Sequence, residues 1–241
     1  MKLGSILPEK VEKLRELPDL SFLHDRKILI FGVTPHWIRF LAHLACVLLH
    51  RGCTVDFVWT PHFEHDNADQ EGLFRQVHHD IEPAFAATDH PRFRAFKLMD
   101  LPMANLPEAL LPQVREQSIQ DTALLSLQLR CDIEGRHRRT FEKFCHVNHE
   151  VMATLLPLVE ANDYDAIIFY SGQVFENGAA FRLARHLGLP AFSIENVPLG
   201  EDEMMLMSWG QPAINVNMAA VAEAWERNAP HRATPRTRER V

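Results

Sequence analysis

The sequence predicts an α/β protein with a doubly wound, mostly parallel, Rossmann-like sheet, and two stretches of the 241-residue chain carry that prediction. In each stretch an apolar strand pattern is followed by a helical pattern and then by a second strand pattern. A strand–helix–strand unit makes its two strands parallel and its crossover right-handed. The segment between the two stretches, about 107–161, has helical patterns and is predicted to be a helical insertion.

The first stretch begins with Lys27–Val33, a continuous apolar run typical of a strand buried on both faces. Thr34 is predicted to cap a helix over 35–50, since a proline, which is favoured at the first helical position, follows it. A second strand is predicted at 54–59. A third, shorter strand is predicted at 93–98, after a polar segment rich in His, Asp and Glu.

The second stretch repeats this arrangement. It predicts a buried strand over 164–170, a tight turn at Ser171-Gly172, a helix over 175–187 and a further strand over 189–194. The acidic and proline-containing residues 195–210 are predicted to form a loop.

The two ends of the chain are predicted to differ from the rest. Residues 1–26 are interpreted as an extension with a short amphipathic helix at 8–17. Residues 27–228 are interpreted as one domain, with a final helix near 218–228. Residues 229–241 contain four arginines and two prolines, and they are interpreted as a basic tail or a truncated linker.

Composition excludes several classes of protein. The formal net charge of −7 argues against general attraction to nucleic acid or to an anionic membrane. The most apolar helical pattern, 37–49, is too short for a transmembrane segment and contains Arg39 and His43. Four scattered cysteines without a CxxC pair favour a reducing compartment. These features predict a cytoplasmic location.

Ligands of open parallel sheets bind where the strands end, so the loop after Val33 is the first candidate site. It lacks the G-x-G-x-x-G pattern of dinucleotide-binding turns, and the chain has no P-loop. Thr34, His36 and Arg39 are candidate substrate-binding residues near the N-terminus of the helix. The alternative interpretation is that these residues only begin a helix.

The loop after the strand 164–170 is the second candidate site. Its amides and side chains are expected to face the crevice at the end of the sheet. Four substrate-binding residues are predicted here: Ser171, Gly172, Gln173 and Asn177.

The third candidate site follows the strand 189–194. A carboxylate at the end of a strand is well placed for substrate hydroxyls or proton transfer. Glu195 is therefore the candidate catalytic residue, and Asn196 is a candidate substrate-binding residue beside it. The histidine clusters do not have the H-E-x-x-H spacing, and no G-x-S-x-G is present, so neither a metal site nor a resident cofactor is predicted.

Residues 164–217 resemble the N-terminal half of GT-B type glycosyltransferases, especially bacterial capsule and surface-polysaccharide biosynthesis proteins. The resemblance lies in the apolar strand Asp165–Tyr170, the helix end Ala184-Arg-His-Leu-Gly-Leu-Pro190 and the strand end Ser193-Ile-Glu-Asn196. Lys27–Pro35 resembles the first strand and loop of that domain, and 210–217 its Gly-x-Asn turn.

The resemblance implies an acceptor-side half of a glycosyltransferase, with a glycan acceptor or a nucleotide-sugar as substrate and Glu195 as base or hydroxyl-orienting group. Such enzymes bind the nucleotide-sugar mainly on a second domain, and the 241 residues are expected to hold only the first. Two alternatives stay open. One is a non-catalytic binding or assembly module, such as a homo-oligomer, using the Met-rich residues 204–207 and Trp225. The other is a different Rossmann-like nucleotide-sugar enzyme.

Overall fold

A computed structural model describes residues 21–60, 79, 81–126, 131–173, 175–199 and 202–209. For residues 35, 36, 196–199 and 202–209 it describes the backbone alone. The predicted helices at 8–17 and 218–228 and the tail at 229–241 lie outside the described residues.

The described part contains six strands and five helices. The strands are β1 (Lys27–Val33), β2 (Thr54–Thr60), β3 (Phe93–Lys97), β4 (Ala166–Tyr170), β5 (Ala191–Leu199) and β6 (Asp202–Trp209). The helices are α1 (Pro35–His50), α2 (Glu82–Ala86), α3 (Leu111–Leu125), α4 (Arg138–Glu160) and α5 (Phe175–His186). Short 3₁₀ turns lie at Ser21–Leu23, Leu98–Asp100 and Glu108–Leu110.

The strands form one sheet in the order β3-β2-β1-β4-β5-β6. The first five strands are parallel, and β6 pairs with β5 in the antiparallel direction. The chain builds outward from β1 to β3 and then continues on the opposite side of β1 with β4. The doubly wound prediction is therefore confirmed, and the point where the strand order reverses lies between β1 and β4.

Helices cover both faces of the sheet. Successive residues of a strand point to opposite faces, so each strand contributes side chains to both layers. Ile28 and Ile30 of β1 pack with α1, whose Ile38 is fully buried. Leu29 and Phe31 of β1 point to the other face, which is covered by α4 and α5. Both faces of β1 are apolar for this reason, as its uninterrupted apolar pattern predicts.

The insertion between β3 and β4 is helical, as predicted, and it consists of α3 and α4 with the intervening turns. Helix α4 packs on the sheet through buried apolar side chains that include Val151, Met152 and Leu155. Helix α3 packs on α4 and on α5. Among the described residues, no helix is long and apolar enough to cross a membrane.

The predicted loop at 195–210 is wrong. Strand β5 continues to Leu199, and β6 returns beside it with Leu199 paired to Asp202 and Glu195 paired to Leu206. The acidic residues and Pro198 suggested a loop. An edge hairpin tolerates both, since proline is acceptable where a strand lies near the edge of a sheet.

Candidate functional site

Strained backbone is concentrated where β1 and β4 end. Thr34 has φ 64° and ψ 144°, and Ser171, Gly172 and Phe175 have φ values of 62°, 69° and 52°. Non-glycine residues rarely adopt positive φ, and such strain persists at binding sites and active sites. The predicted cap at Thr34 is wrong, because its side chain makes no capping hydrogen bond. An N-cap residue needs the extended backbone that Thr34 does not have.

An aromatic pair bridges the two sides of the switch point. The ring of Trp37, in the first turn of α1, stacks on the ring of Tyr170 with centroids 3.3 Å apart and an interplanar angle of 15°. Tyr170 is the last residue of β4, and its hydroxyl donates a hydrogen bond to Oε1 of Glu195 on β5. The other oxygen, Glu195 Oε2, is buried and has no hydrogen-bond partner in the described part of the chain.

The loop after β4 is held by side chains of α3. The main-chain carbonyl of Gln173 accepts hydrogen bonds from Nε2 of Gln117 and Nε2 of Gln120, both at 3.0 Å. A Cβ atom at Gly172 would lie 2.6 Å from Cε2 of Phe169, so glycine is required there by space as well as by its φ. The helical insertion therefore shapes the loop that leaves the centre of the sheet.

Asp121 of α3 is the buried acidic group beside this loop. Its Oδ1 accepts hydrogen bonds from the Phe175 amide at 2.7 Å and from Gln117 Nε2 at 2.9 Å. Its Oδ2 accepts one from Asn148 Nδ2 at 2.9 Å. Burial raises the pKa of Asp121 to about 6, although these three hydrogen bonds oppose the increase and the charge of Glu176 adds to it.

A cleft of about 520 Å³ lies between α3 and α5, beside the same loop. Helix α3 contributes four polar side chains at helical spacing, which are Gln113, Glu116, Gln117 and Gln120. Helix α5 contributes Phe181, Arg182, Arg185 and His186.

Arg182 is the centre of a polar network in this cleft. Its Nε donates to Gln117 Oε1 at 2.8 Å, and its Nη1 donates to Glu116 Oε2 at 2.9 Å. Its Nη2 reaches Gln120 Oε1 at 3.4 Å. Since Gln117 and Gln120 also hold the Gln173 carbonyl, the network connects the guanidinium to the loop after β4.

The predicted site residues lie in two groups. Thr34 and Ser171 directly follow β1 and β4, and Glu195 lies within β5, one residue beyond Ile194, which pairs with the last residue of β4. Gly172 and Gln173 line the α3–α5 cleft.

Four further predicted residues lie on neighbouring elements. Asn177 is buried in the first turn of α5, and its Oδ1 has no hydrogen-bond partner among the described residues. Arg39 is exposed on α1. The side chains of His36 and Asn196 lie outside the described part; their backbones begin α1 and continue β5.

Sequence reasoning missed Trp37, Tyr170, Asp121, Gln117 and Arg182. One signal was available for the α3 residues. Gln117, Gln120 and Asp121 follow the i, i+3, i+4 spacing of one helix face in a helix with little apolar character. A polar helix face of this kind, in a segment predicted to be a helical insertion, indicates a buried hydrogen-bond network. No local signal pairs Trp37 with Tyr170.

No protein-family model matches this sequence, and no curated protein is significantly similar to it. The class of protein is therefore defined by its fold and its site. It is an α/β protein with a Rossmann-like sheet, and its candidate site lies at the carboxyl ends of the central strands.

Proposed function

We propose that this chain is a glycosyltransferase-type domain, the acceptor-side half of a GT-B enzyme of bacterial surface-polysaccharide biosynthesis. The observation that supports this proposal is the carboxylate of Glu195. Tyr170 occupies Oε1, while the buried Oε2 has no partner in the described residues. A buried carboxylate oxygen without a hydrogen bond costs free energy, and a ligand hydroxyl would remove that cost.

The chemistry of glycosyl transfer gives this carboxylate a role. Glu195 Oε2 accepts a hydrogen bond from the acceptor hydroxyl and takes its proton as the acceptor oxygen attacks the anomeric carbon of the donor sugar. A new carbon–oxygen bond forms there, and the bond to the departing phosphate breaks. Tyr170 keeps the carboxylate oriented, since its own position is held by the stack with Trp37.

The first test is thermal unfolding of the full chain with a panel of nucleotide-sugars, free nucleotides and short glycans. A ligand at about 100 times its Kd stabilises the fold by about 2.7 kcal/mol, which is a shift of several degrees. We expect Glu195→Gln to lose the shift caused by a glycan and to lose transfer. The matched control is Glu108→Gln, because Glu108 is exposed on another element. Unchanged binding and transfer by Glu195→Gln would refute the proposed role.

A second candidate function, assembly with a protein partner, is favoured by one observation. Met99 and Met103, which follow β3, are each 61% exposed. Methionine adapts well to partner surfaces. The sequence suggested Trp225 and the Met-rich residues 204–207 for this role; Trp225 lies outside the described residues, and for 204–207 the backbone alone is described. Sedimentation at several concentrations distinguishes the candidates: a chain that stays monomeric without a partner would exclude self-assembly.

A further inference from the structure

The α3–α5 cleft has the size and shape of a site for a small molecule. Its volume of about 520 Å³ falls within the range of about 300–1,000 Å³ that is usual for ligand sites. The two walls are tied together by Arg182, which is anchored to Gln117 and Glu116 of the facing helix. The side chain of Arg182 is only 22% exposed, so the walls are fixed before a ligand arrives.

The cleft is cationic although the chain as a whole carries a formal charge of −7. The charge of Arg182 is offset by Glu116 at 2.9 Å. Arg185 has no such counter-ion among the described residues, and its guanidinium lies over the ring of Phe181, 5.8 Å from the centroid. His186 beside it adds a ring nitrogen donor. A guanidinium held in this way presents paired N–H donors that match a phosphate or a carboxylate.

The uncharged polar side chains of the cleft suit hydroxyl groups. Gln173 Oε1 is buried and has no hydrogen-bond partner in the described part of the chain, so it can accept from a ligand. The side-chain amides of Gln113 and Gln120 also line the cleft, and an amide both donates and accepts hydrogen bonds. A hydroxyl also both donates and accepts, so these groups are complementary to a polyol.

From these observations we propose that the α3–α5 cleft binds a sugar that carries an oxyanion, either a phosphate or a carboxylate. The oxyanion contacts Arg185 and His186, and the sugar hydroxyls contact Gln173 and the glutamines of α3. The inference rests on the proposed function and names its substrate class as an acidic glycan unit. The cleft and the Tyr170–Glu195 pair share one connection, since Gln173 of the cleft belongs to the loop that follows Tyr170.

The test is a titration of the full chain, followed by NMR or calorimetry, with glucose 6-phosphate, glucuronate, glucose and inorganic phosphate. We expect one or both acidic sugars to bind, and glucose and phosphate to bind more weakly. Because hydrogen bonds to charged groups are worth about 1.5–3 kcal/mol, Arg185→Gln should weaken binding about 10-fold to 100-fold. Arg185→Lys keeps the positive charge but loses the planar, paired N–H donors of the guanidinium, and it should give an intermediate affinity.

Two controls make the result decisive. Arg139→Gln makes the same change in net charge at an exposed position of α4, and it should leave the affinity unchanged. Gln173→Met should weaken the binding of acidic sugars and leave that of inorganic phosphate unchanged. The preferred acidic sugar identifies the oxyanion as phosphate or carboxylate.

Several outcomes would overturn the inference. They are the absence of saturable binding of either acidic sugar at about 10 mM, equal weakening by Arg185→Gln and Arg139→Gln, and equal affinity for glucose and the acidic sugars. If Arg185→Gln has no effect while Glu195→Gln abolishes binding, the cleft is excluded and the proposed function stands. If Glu195→Gln leaves transfer unchanged while Arg185→Gln weakens binding, the cleft stands as a binding site and the proposed role of Glu195 is refuted.

Discussion

The main-chain amide of Phe175 donates a hydrogen bond to Asp121 Oδ1 over 2.7 Å, so the first turn of α5 is capped by a carboxylate from α3. The two residues are 54 positions apart in the chain. A carboxylate at a helix N-terminus satisfies an amide that the helix leaves free, and it interacts favourably with the helix dipole. The helical insertion thus stabilises the loop between β4 and α5, where Phe175 has a φ of 52°.

This contact predicts an unusual dependence of stability on pH. The pKa of Asp121 is raised to about 6, mainly by burial, while an unfolded aspartate titrates near pH 3.9. Between these values the folded state keeps a proton that the unfolded state has lost. The contribution of protonated Asp121 to the free energy of unfolding is therefore fully present below about pH 4. About 2–3 kcal/mol of this contribution is lost as the pH rises to about 6.

Asp121→Asn should remove this loss, because its side chain does not titrate. The measurement is the free energy of urea unfolding from pH 4 to pH 7, with the wild-type curve subtracted from that of the variant. Asp89→Asn, which makes the same substitution at an exposed position, serves as the control. A flat difference for Asp121→Asn would contradict the prediction.

The sequence predicted the buried strands well because their signal is local. Residues 28–33 have no polar side chain, and β1 includes these residues because it is covered on both faces. The hairpin of β5 and β6 was missed because its edge position tolerates Pro198 and acidic residues. The available signal in the sequence was Gly200, because a glycine is favoured at the first position of one class of two-residue hairpin turns.

The site was predictable only in part. Ser171 follows β4, as predicted, and the rule that ligands bind at strand ends is sufficient to nominate it. Glu195 was nominated by the same rule, but it lies within β5, beside the end of β4. The contacts that define the site depend on pairs far apart in the chain, such as Tyr170 with Glu195 and Gln117 with Gln173. Such pairs depend on which strands become neighbours and on how α3 packs against the loop after β4, and no periodic pattern in one segment specifies either.

Helices α3 and α5 approach closely at Gly178. A Cβ atom there would lie 2.3 Å from Nε2 of Gln117, which is engaged with Asp121, Arg182 and the Gln173 carbonyl. Gly178→Ala should therefore displace Gln117 and destabilise the fold by about 2–4 kcal/mol. Unfolding of the Gly178→Ala, Gln117→Ala and double variants measures this. The second substitution should lower the free energy of unfolding much less when the first is already present. Additive losses of stability would contradict the prediction.

A buried hydrogen-bond network at the amino end of the sheet changes the pKa of the Tyr164 hydroxyl. Its hydroxyl donates to Asp56 Oδ2 at 2.5 Å, and Arg94 binds both oxygens of that carboxylate. Burial, followed by the hydrogen bond and charge of Asp56, raises the pKa of Tyr164 above its usual value near 10. The folded state thus keeps a proton that the unfolded state loses, and this stabilising contribution falls above about pH 10.

The chain has two tyrosines, so Tyr170→Phe leaves Tyr164 as the single chromophore of this kind. In that variant we expect no tyrosinate absorbance near pH 10 while the fold persists, and a rise that coincides with alkaline unfolding followed by circular dichroism. The same variant in concentrated urea is the control and should titrate near pH 10. A folded protein that titrates there would contradict the assignment.

The stack between Trp37 and Tyr170 should couple the two halves of the sheet energetically. Aromatic pairs of this geometry contribute about 0.5–1.5 kcal/mol beyond the area they bury. A double-mutant cycle with Trp37→Ala and Tyr170→Leu should therefore give a coupling energy in that range, while Tyr170→Phe should retain it because the ring stays in place. A control cycle of Trp37→Ala with Tyr164→Phe, at the amino end of the sheet, should be additive within about 0.5 kcal/mol. If the first cycle is equally additive, the stack does not connect α1 to β4, and Glu195 is oriented by the Tyr170 hydroxyl without support from Trp37.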